Sequence, residues 1–129
     1  MPQAEIGDGI LHYEIDGRGP ALVLLPPQSR GPLGLADLQN SLARRHTVIT
    51  YDQRGTGGSS SALSTWSMAA EATDVIALLD ALGVERASLL SHSTGCGIGI
   101  SAAACCPDRV GALILASPWT HADEHLTTM

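Results

Sequence analysis

The sequence contains no lysine, and its seven basic residues are all arginines, against 13 acidic residues and a formal net charge of −6. Only Arg44 and Arg45 are adjacent in sequence. Because nucleic-acid backbones are bound by clustered basic surfaces, we expect no nucleic-acid partner. Apolar runs are also short, far below the roughly 20 residues that cross a bilayer, and the N-terminal residues lack the cationic start and apolar core of a signal peptide. We therefore expect a cytoplasmic protein that does not contact a membrane.

Cysteine is scarce as well, with Cys96, Cys105 and Cys106 as the three in the chain. An odd number of cysteines without C-x-x-C spacing indicates neither a disulfide framework nor a cysteine zinc site. We expect three reduced thiols that pack on helices as small residues.

The chain is 44% hydrophobic and 16% charged, which is too apolar for a disordered protein. Its 129 residues correspond to one domain or part of one. Strand patterns alternate with helical periodicities, and several strands are continuous apolar runs, which are typical of parallel strands buried on both faces. This order predicts an α/β fold with a mostly parallel sheet and helices on both faces. The predicted strands are residues 10–15, 21–25, 47–51, 87–90 and 110–116, and the predicted helices cover residues 35–42, 69–82 and 94–104.

One strand-to-helix turn has the pattern of a catalytic site. After the strand at residues 87–90 the sequence reads Ser91-His92-Ser93-Thr94-Gly95. This is the nucleophile-elbow pattern G-x-S-x-G with serine in the first glycine position. The pattern needs small flanking residues because the backbone of the central serine is strained and its neighbours approach the adjacent strand and helix. We predict that Ser93 projects its hydroxyl above the sheet, where the helix N-terminus favours a developing oxyanion.

Other segments accompany the elbow in a characteristic order. They are residues 10–15 with the glycine-rich turn after them, residues 22–25, Tyr51-Asp52-Gln53-Arg54-Gly55-Thr56-Gly57, and Pro107-Asp108-Arg109-Val110. Together they resemble the N-terminal half of an α/β-hydrolase superfamily serine hydrolase of the esterase and lactonase branch. The resemblance extends to about Trp119. It implies an α/β-hydrolase core portion for residues 1–119, truncated after the sixth strand, and the start of a cap or lid for residues 120–129.

The resemblance also implies an activity, namely cleavage of an ester, lactone or related acyl bond of a small molecule through an acyl-enzyme on Ser93. The resemblance also implies that the backbone N–H of Thr94 is one of the two donors to the oxyanion. The second donor in this family comes from a loop that usually reads His-Gly, and here the corresponding place holds Pro26-Pro27-Gln28. Since proline has no N–H, Gln28 is the expected donor. This chemistry requires no cofactor.

In this family the triad acid and histidine follow strands beyond those in this sequence. A serine without a positioned base is a weak nucleophile at neutral pH. Three explanations stay open. The chain is a fragment whose complement is a separate polypeptide or lies outside this sequence, or it is a degenerate non-catalytic relative, a truncated module that pairs with a partner chain, or a base comes from within the sequence. The apolar run Val110–Ala116 predicts a partner or a second copy, because an uncovered edge of this kind is one that natural sheets avoid.

Histidines within the sequence fit the role of the base poorly. His92 adjoins Ser93, but adjacent residues on such a turn point in different directions. His121 and His125 lie in an H-x-x-E-H pattern, which in zinc proteases places two ligands one helical turn apart. That motif needs a third ligand and a scaffold helix, so we interpret the segment as a solvated part of the cap and predict no metal site.

Three glycines, Gly95, Gly97 and Gly99, follow Ser93 at alternate positions. A dinucleotide-binding fingerprint requires G-x-G-x-x-G spacing and a carboxylate at the tip of the next strand, and that strand runs into Ala116-Ser117-Pro118 instead. We therefore predict that these glycines let the helix pack closely against the strand before it.

Overall fold

A six-stranded sheet organises the computed structural model, which describes residues 2–7, 9–25, 35–53 and 67–117. The strand order is β1-β2-β4-β3-β5-β6, with β2 antiparallel to its neighbours β1 and β4, and with β4, β3, β5 and β6 mutually parallel. The strands are β1 (Gln3–Ile6), β2 (Gly9–Asp16), β3 (Ala21–Leu25), β4 (Thr47–Tyr51), β5 (Ala87–His92) and β6 (Val110–Ala116). The carboxyl ends of the parallel strands meet at one edge of the sheet, which is where open α/β sheets bind ligands.

The helices are α1 (Leu35–Leu42), α2 (Met68–Ala81) and α3 (Thr94–Cys105), and a short 3₁₀ turn covers Pro107–Arg109. Ser67 caps α2, since its hydroxyl accepts a hydrogen bond from Ala70 N at 3.0 Å. Gly83 follows the helix with φ +69°, the left-handed conformation that glycine commonly adopts at the C-terminal end of a helix. No helix within the described ranges combines the length and the apolarity needed to cross a bilayer.

The core has two layers, one on each face of the sheet, which confirms the predicted α/β fold with helices on both faces. Val23 and Leu25 point into the larger layer, which α2 and α3 cover. Leu22 and Leu24 point into the smaller layer, which includes Leu42 at the end of α1. The continuous apolar run of β3 is therefore explained by burial on both faces.

Strand β1 was not among the predicted strands. It pairs with β2 as an antiparallel hairpin in which Ala4 lies opposite Leu11. Ala4 and Ile6 are buried while Gln3 and Glu5 are exposed, so the four residues alternate as a half-buried strand does. Four residues at a chain terminus are too few for this alternation to stand out in the sequence.

The apolar strand β6 lies at the edge of the described sheet. It pairs with β5 on one side and contacts α3 on one face. Ile114 is 48% exposed and Leu115 37% exposed. No described element lies beyond β6, so the predicted pairing of this strand with a partner or a second copy stays a prediction.

Arg109 holds the start of β6 against the turn between α2 and β5. Its guanidinium donates to the backbone oxygens of Glu85 at 2.7 Å and Val84 at 2.9 Å. The same group forms an ion pair with Asp80, with 2.7 Å between Nη1 and Oδ1. Arg109 thus connects the C-terminal end of α2 and the turn before β5 to the start of β6.

Candidate functional site

The candidate site is the turn between β5 and α3, where Ser93 is the single residue that separates strand from helix. Its φ is +53° and its ψ is −116°, so a residue with a side chain adopts a conformation that favours glycine. Such a backbone costs on the order of 1–3 kcal/mol and persists only where the surroundings enforce it. Here Ser93 N donates to Ala116 O at 3.0 Å, and Ser93 O accepts from Cys96 N at 3.0 Å.

Close packing beneath the turn explains why it is built from small residues. Ser91, two positions before Ser93, is fully buried. A Cβ added to Gly99 on α3 would lie 2.6 Å from Ser91 Oγ and 2.9 Å from Leu113 Cδ1. The helix therefore rests directly on β5, as the glycine pattern predicted, and side chains larger than serine and glycine would separate the two elements.

The Ser93 hydroxyl stays available for chemistry. It is half-buried and makes no capping hydrogen bond to the first turn of α3. Thr94 follows as the first helical residue. Since the first N–H groups of a helix have no intrahelical partner and carry the positive end of its dipole, negative charge that develops beside Ser93 is stabilised there.

The other predicted site residues are only partly covered by the described ranges. Gln28, the expected second oxyanion donor, lies outside them, and so do His121 and His125. His92 is exposed at the end of β5, and within the described structure no hydrogen bond joins it to Ser93. The structure thus brings Ser93 and Thr94 together and gives His92 no contact suited to a general base.

A buried acidic cluster at the same edge of the sheet was missed by the sequence analysis. Glu71 and Asp74 lie one turn apart on α2 and are only 3% and 4% exposed. They lie beside Tyr51 at the carboxyl end of β4, and burial together with these carboxylates raises the pKa of the Tyr51 phenol far above its usual range. In the sequence, both acids stand among the apolar residues of α2, next to Ala72 and Val75, and this placement is the feature that indicates their burial.

Comparison with known proteins places this turn in a family. Residues 29–128 match the family model for the alpha/beta hydrolase fold. The chain belongs to the α/β-hydrolase fold family. The family that the elbow and its accompanying segments indicated is therefore confirmed.

Individual members of the α/β-hydrolase fold family match nearly the whole chain. RutD of Azorhizobium caulinodans, which is named for carbamate hydrolysis, is 38% identical over 126 residues, or 98% of this chain and 48% of that protein. A hydrolase from Pseudomonas aeruginosa superposes with a TM-score of 0.87 at 30% identity, over 98% of this chain and 49% of the other. An enol-lactonase from Burkholderia xenovorans gives a TM-score of 0.77 at 30% identity, over 87% and 45%. The chain spans about half the length of the curated relatives it matches.

Proposed function

We propose that the chain carries the nucleophile of a serine hydrolase that cleaves an ester, lactone or related acyl bond of a small molecule. The observation that carries this proposal is the backbone of Ser93, with φ +53° between β5 and α3. A non-glycine residue is strained there, and this strain is functional if it holds the Ser93 hydroxyl away from both β5 and α3. A serine that served only to cap α3 would adopt ordinary extended backbone and bond to the first turn.

In the proposed reaction the Ser93 oxygen attacks the carbonyl carbon while a base takes the hydroxyl proton. The tetrahedral oxyanion is held by the N–H groups of Thr94 and Gln28, and the N-terminal dipole of α3 adds to their field. Collapse expels the leaving group with the proton and leaves an acyl-enzyme, which water then hydrolyses to regenerate Ser93. We propose that the histidine base and its acid come from outside these residues, and that the reaction takes place in the cytoplasm without a cofactor.

The substrate class is proposed from the chemistry of the nucleophile and from the names of relatives. The relatives described above are named for carbamate hydrolysis and for an enol-lactone. Both are acyl compounds in which a serine oxygen would attack a carbonyl carbon next to a heteroatom leaving group. The proposal therefore covers small esters, lactones and carbamates as one class.

Hydrolysis of three model substrates tests this proposal: an aryl ester, a lactone and an aryl carbamate. The assay uses the chain together with any polypeptide that co-purifies with it. Ser93→Ala should abolish turnover of every substrate that the wild type cleaves. The matched control is Ser101→Ala on the same helix, which should leave turnover unchanged. Equal turnover by Ser93→Ala and the wild type would exclude Ser93 as the nucleophile.

The exposed β6 edge favours a second function, that of a truncated module that pairs with a partner chain. Ile114 and Leu115 are exposed on this strand, and an apolar edge with free backbone groups is a template for further strand pairing. We propose that a complementary polypeptide or a second copy of the chain pairs along β6, and such a partner would also supply the triad members. Intact mass and light scattering distinguish the alternatives. A lone 13.4 kDa monomer would contradict the paired module, and esterase activity in that monomer would contradict a base from outside these residues.

A further inference from the structure

A groove of about 280 Å³ opens between α2 and α3 on the outer side of the larger core layer. Its walls are mainly small apolar side chains, among them Ala72 and Ile76 of α2 and Ala102 of α3. Cys105 and Cys106 line the same groove at the C-terminal end of α3. Because α3 has 12 residues and a helix rises about 1.5 Å per residue, these thiols lie roughly 18 Å from Ser93 along the helix axis.

The two thiols interact with each other and are open to solvent. Cys105 is exposed and Cys106 is half-buried. A hydrogen bond with Cys105 is the main cause that raises the pKa of the Cys106 thiol above its usual value. The two cysteines are adjacent in the chain and line the same groove, which is the arrangement that chelation of a single atom requires.

The remaining cysteine is sequestered from this pair. Cys96 is fully buried in the first turns of α3, and its Sγ donates to Ala116 O at 3.3 Å. Cys96 therefore serves as an internal control thiol, because it lies on the same helix but faces the core. Reagents that act on the native chain should reach Cys105 and Cys106 and leave Cys96 untouched.

The groove does not supply the ligands of a zinc site. Asp80 is the carboxylate that lines it, and that carboxylate is already paired with Arg109. Within the described residues no group of three or more histidine, cysteine or acidic side chains could hold a metal ion. Two thiols alone do not satisfy zinc, which takes four ligands. A trivalent arsenic atom that carries one organic substituent needs only two further bonds, and two thiols supply them.

We propose that Cys105 and Cys106 form a vicinal dithiol site that binds a trivalent organoarsenical, with the organic group of the ligand in the groove between α2 and α3. With an arsenoxide R–As=O, two S–H bonds and the As=O bond break and two As–S bonds form. Both thiol protons leave with the oxygen as water. Arsenic stays trivalent throughout, so the step needs no oxidant or reductant. The site is independent of the Ser93 chemistry.

Phenylarsine oxide is the probe for this site. We expect one arsenic atom per wild-type chain after desalting, retained in excess glutathione and released by 1,2-ethanedithiol, because one monothiol cannot replace a chelate. Cys105→Ser and Cys106→Ser should each lose the retained arsenic. Cys96→Ala, the matched control, should keep it.

Three results would overturn the proposal: a wild-type chain that retains no arsenic, a Cys105→Ser or Cys106→Ser variant that retains as much as the wild type, or a folded Cys96→Ala variant that retains none. If Cys96→Ala fails to fold, peptide mapping of the wild-type adduct decides instead. After the arsenic adduct is unfolded, iodoacetamide should alkylate Cys96 alone. Alkylation of Cys105 or Cys106 in that adduct would contradict the site.

Discussion

The substitution Gly99→Ala tests how closely α3 lies against β5. The new Cβ would come within 2.6 Å of Ser91 Oγ and 2.9 Å of Leu113 Cδ1. Leu113 presents the far end of a flexible side chain, whereas Ser91 is fully buried on an interior strand and cannot withdraw. Overpacking typically costs about 1–3 kcal/mol, and alanine recovers about 1 kcal/mol over glycine in a helix. We expect a net loss of up to about 2 kcal/mol in the free energy of unfolding.

Ser91→Ala supplies the partner substitution that isolates this contact. Ser91 Oγ makes no hydrogen bond within the described structure, so removing the hydroxyl is expected to be neutral or to stabilise the protein by up to about 1 kcal/mol. With Oγ gone, the Cβ at position 99 meets only Leu113 closely. The cost of Gly99→Ala should fall to near zero, which corresponds to a coupling energy of up to about 2 kcal/mol.

Urea unfolding followed by circular dichroism measures the cycle at fixed protein concentration, in the assembly state in which the chain purifies. Gly97→Ala is the matched control, because the three atoms nearest to its Cβ would all belong to the flexible Met68 side chain, with Sδ at 3.0 Å. Gly97→Ala should change the free energy of unfolding little, and its effect should add to that of Ser91→Ala. An equal cost of Gly99→Ala in the two Ser91 backgrounds would refute the close packing beneath the elbow.

Three further predictions concern other parts of the chain. Gly95 is buried in the first turn of α3, and Gly95→Val is expected to cost on the order of several kcal/mol by overpacking and strain; an unchanged melting temperature would contradict this. Arg109→Ala should cost about 1–2 kcal/mol in urea unfolding, mainly through its two bonds to backbone oxygens, and Arg109→Lys should not restore it, because an ammonium lacks the fork geometry. Since Cys105 raises the pKa of Cys106, the rate at which iodoacetamide alkylates Cys106 should rise with pH with a midpoint above the usual thiol pKa of about 8.5. Cys105→Ala should lower that pH midpoint. A midpoint at or below the usual value would be inconsistent with the hydrogen bond.

Much of the fold follows from the sequence because the parallel strands are short, apolar and separated by clear turns. The predicted strand at residues 21–25 matches β3, and the predicted strand at residues 47–51 matches β4. Strand β5 extends two residues beyond its predicted end, to His92. Polar Ser91 and His92 do not look like strand residues, yet the sharp turn at Ser93 requires a strand that continues to the residue before it.

The turn at Ser93 was predictable from the sequence, whereas the burial of the acidic residues near it was less predictable. The small residues around Ser93 indicate a tight turn, and the structure has that turn. The acids Glu71 and Asp74 resemble the solvated face of a helix, since charged residues are seldom buried. Their burial depends on how α2 meets β4, which is a property of the tertiary structure. The exposure of β6 likewise depends on which elements lie beside it.

Covalent labelling of Ser93 is the measurement that most directly tests the proposed function. A fluorophosphonate probe reacts with serines that a neighbouring base activates, and peptide mapping locates the adduct. In the complete active assembly we expect a single adduct on Ser93 and none on the Ser93→Ala variant. An adduct on Ser59, Ser60 or Ser117 instead, or no adduct in an assembly that hydrolyses esters, would contradict the assignment of Ser93 as the nucleophile.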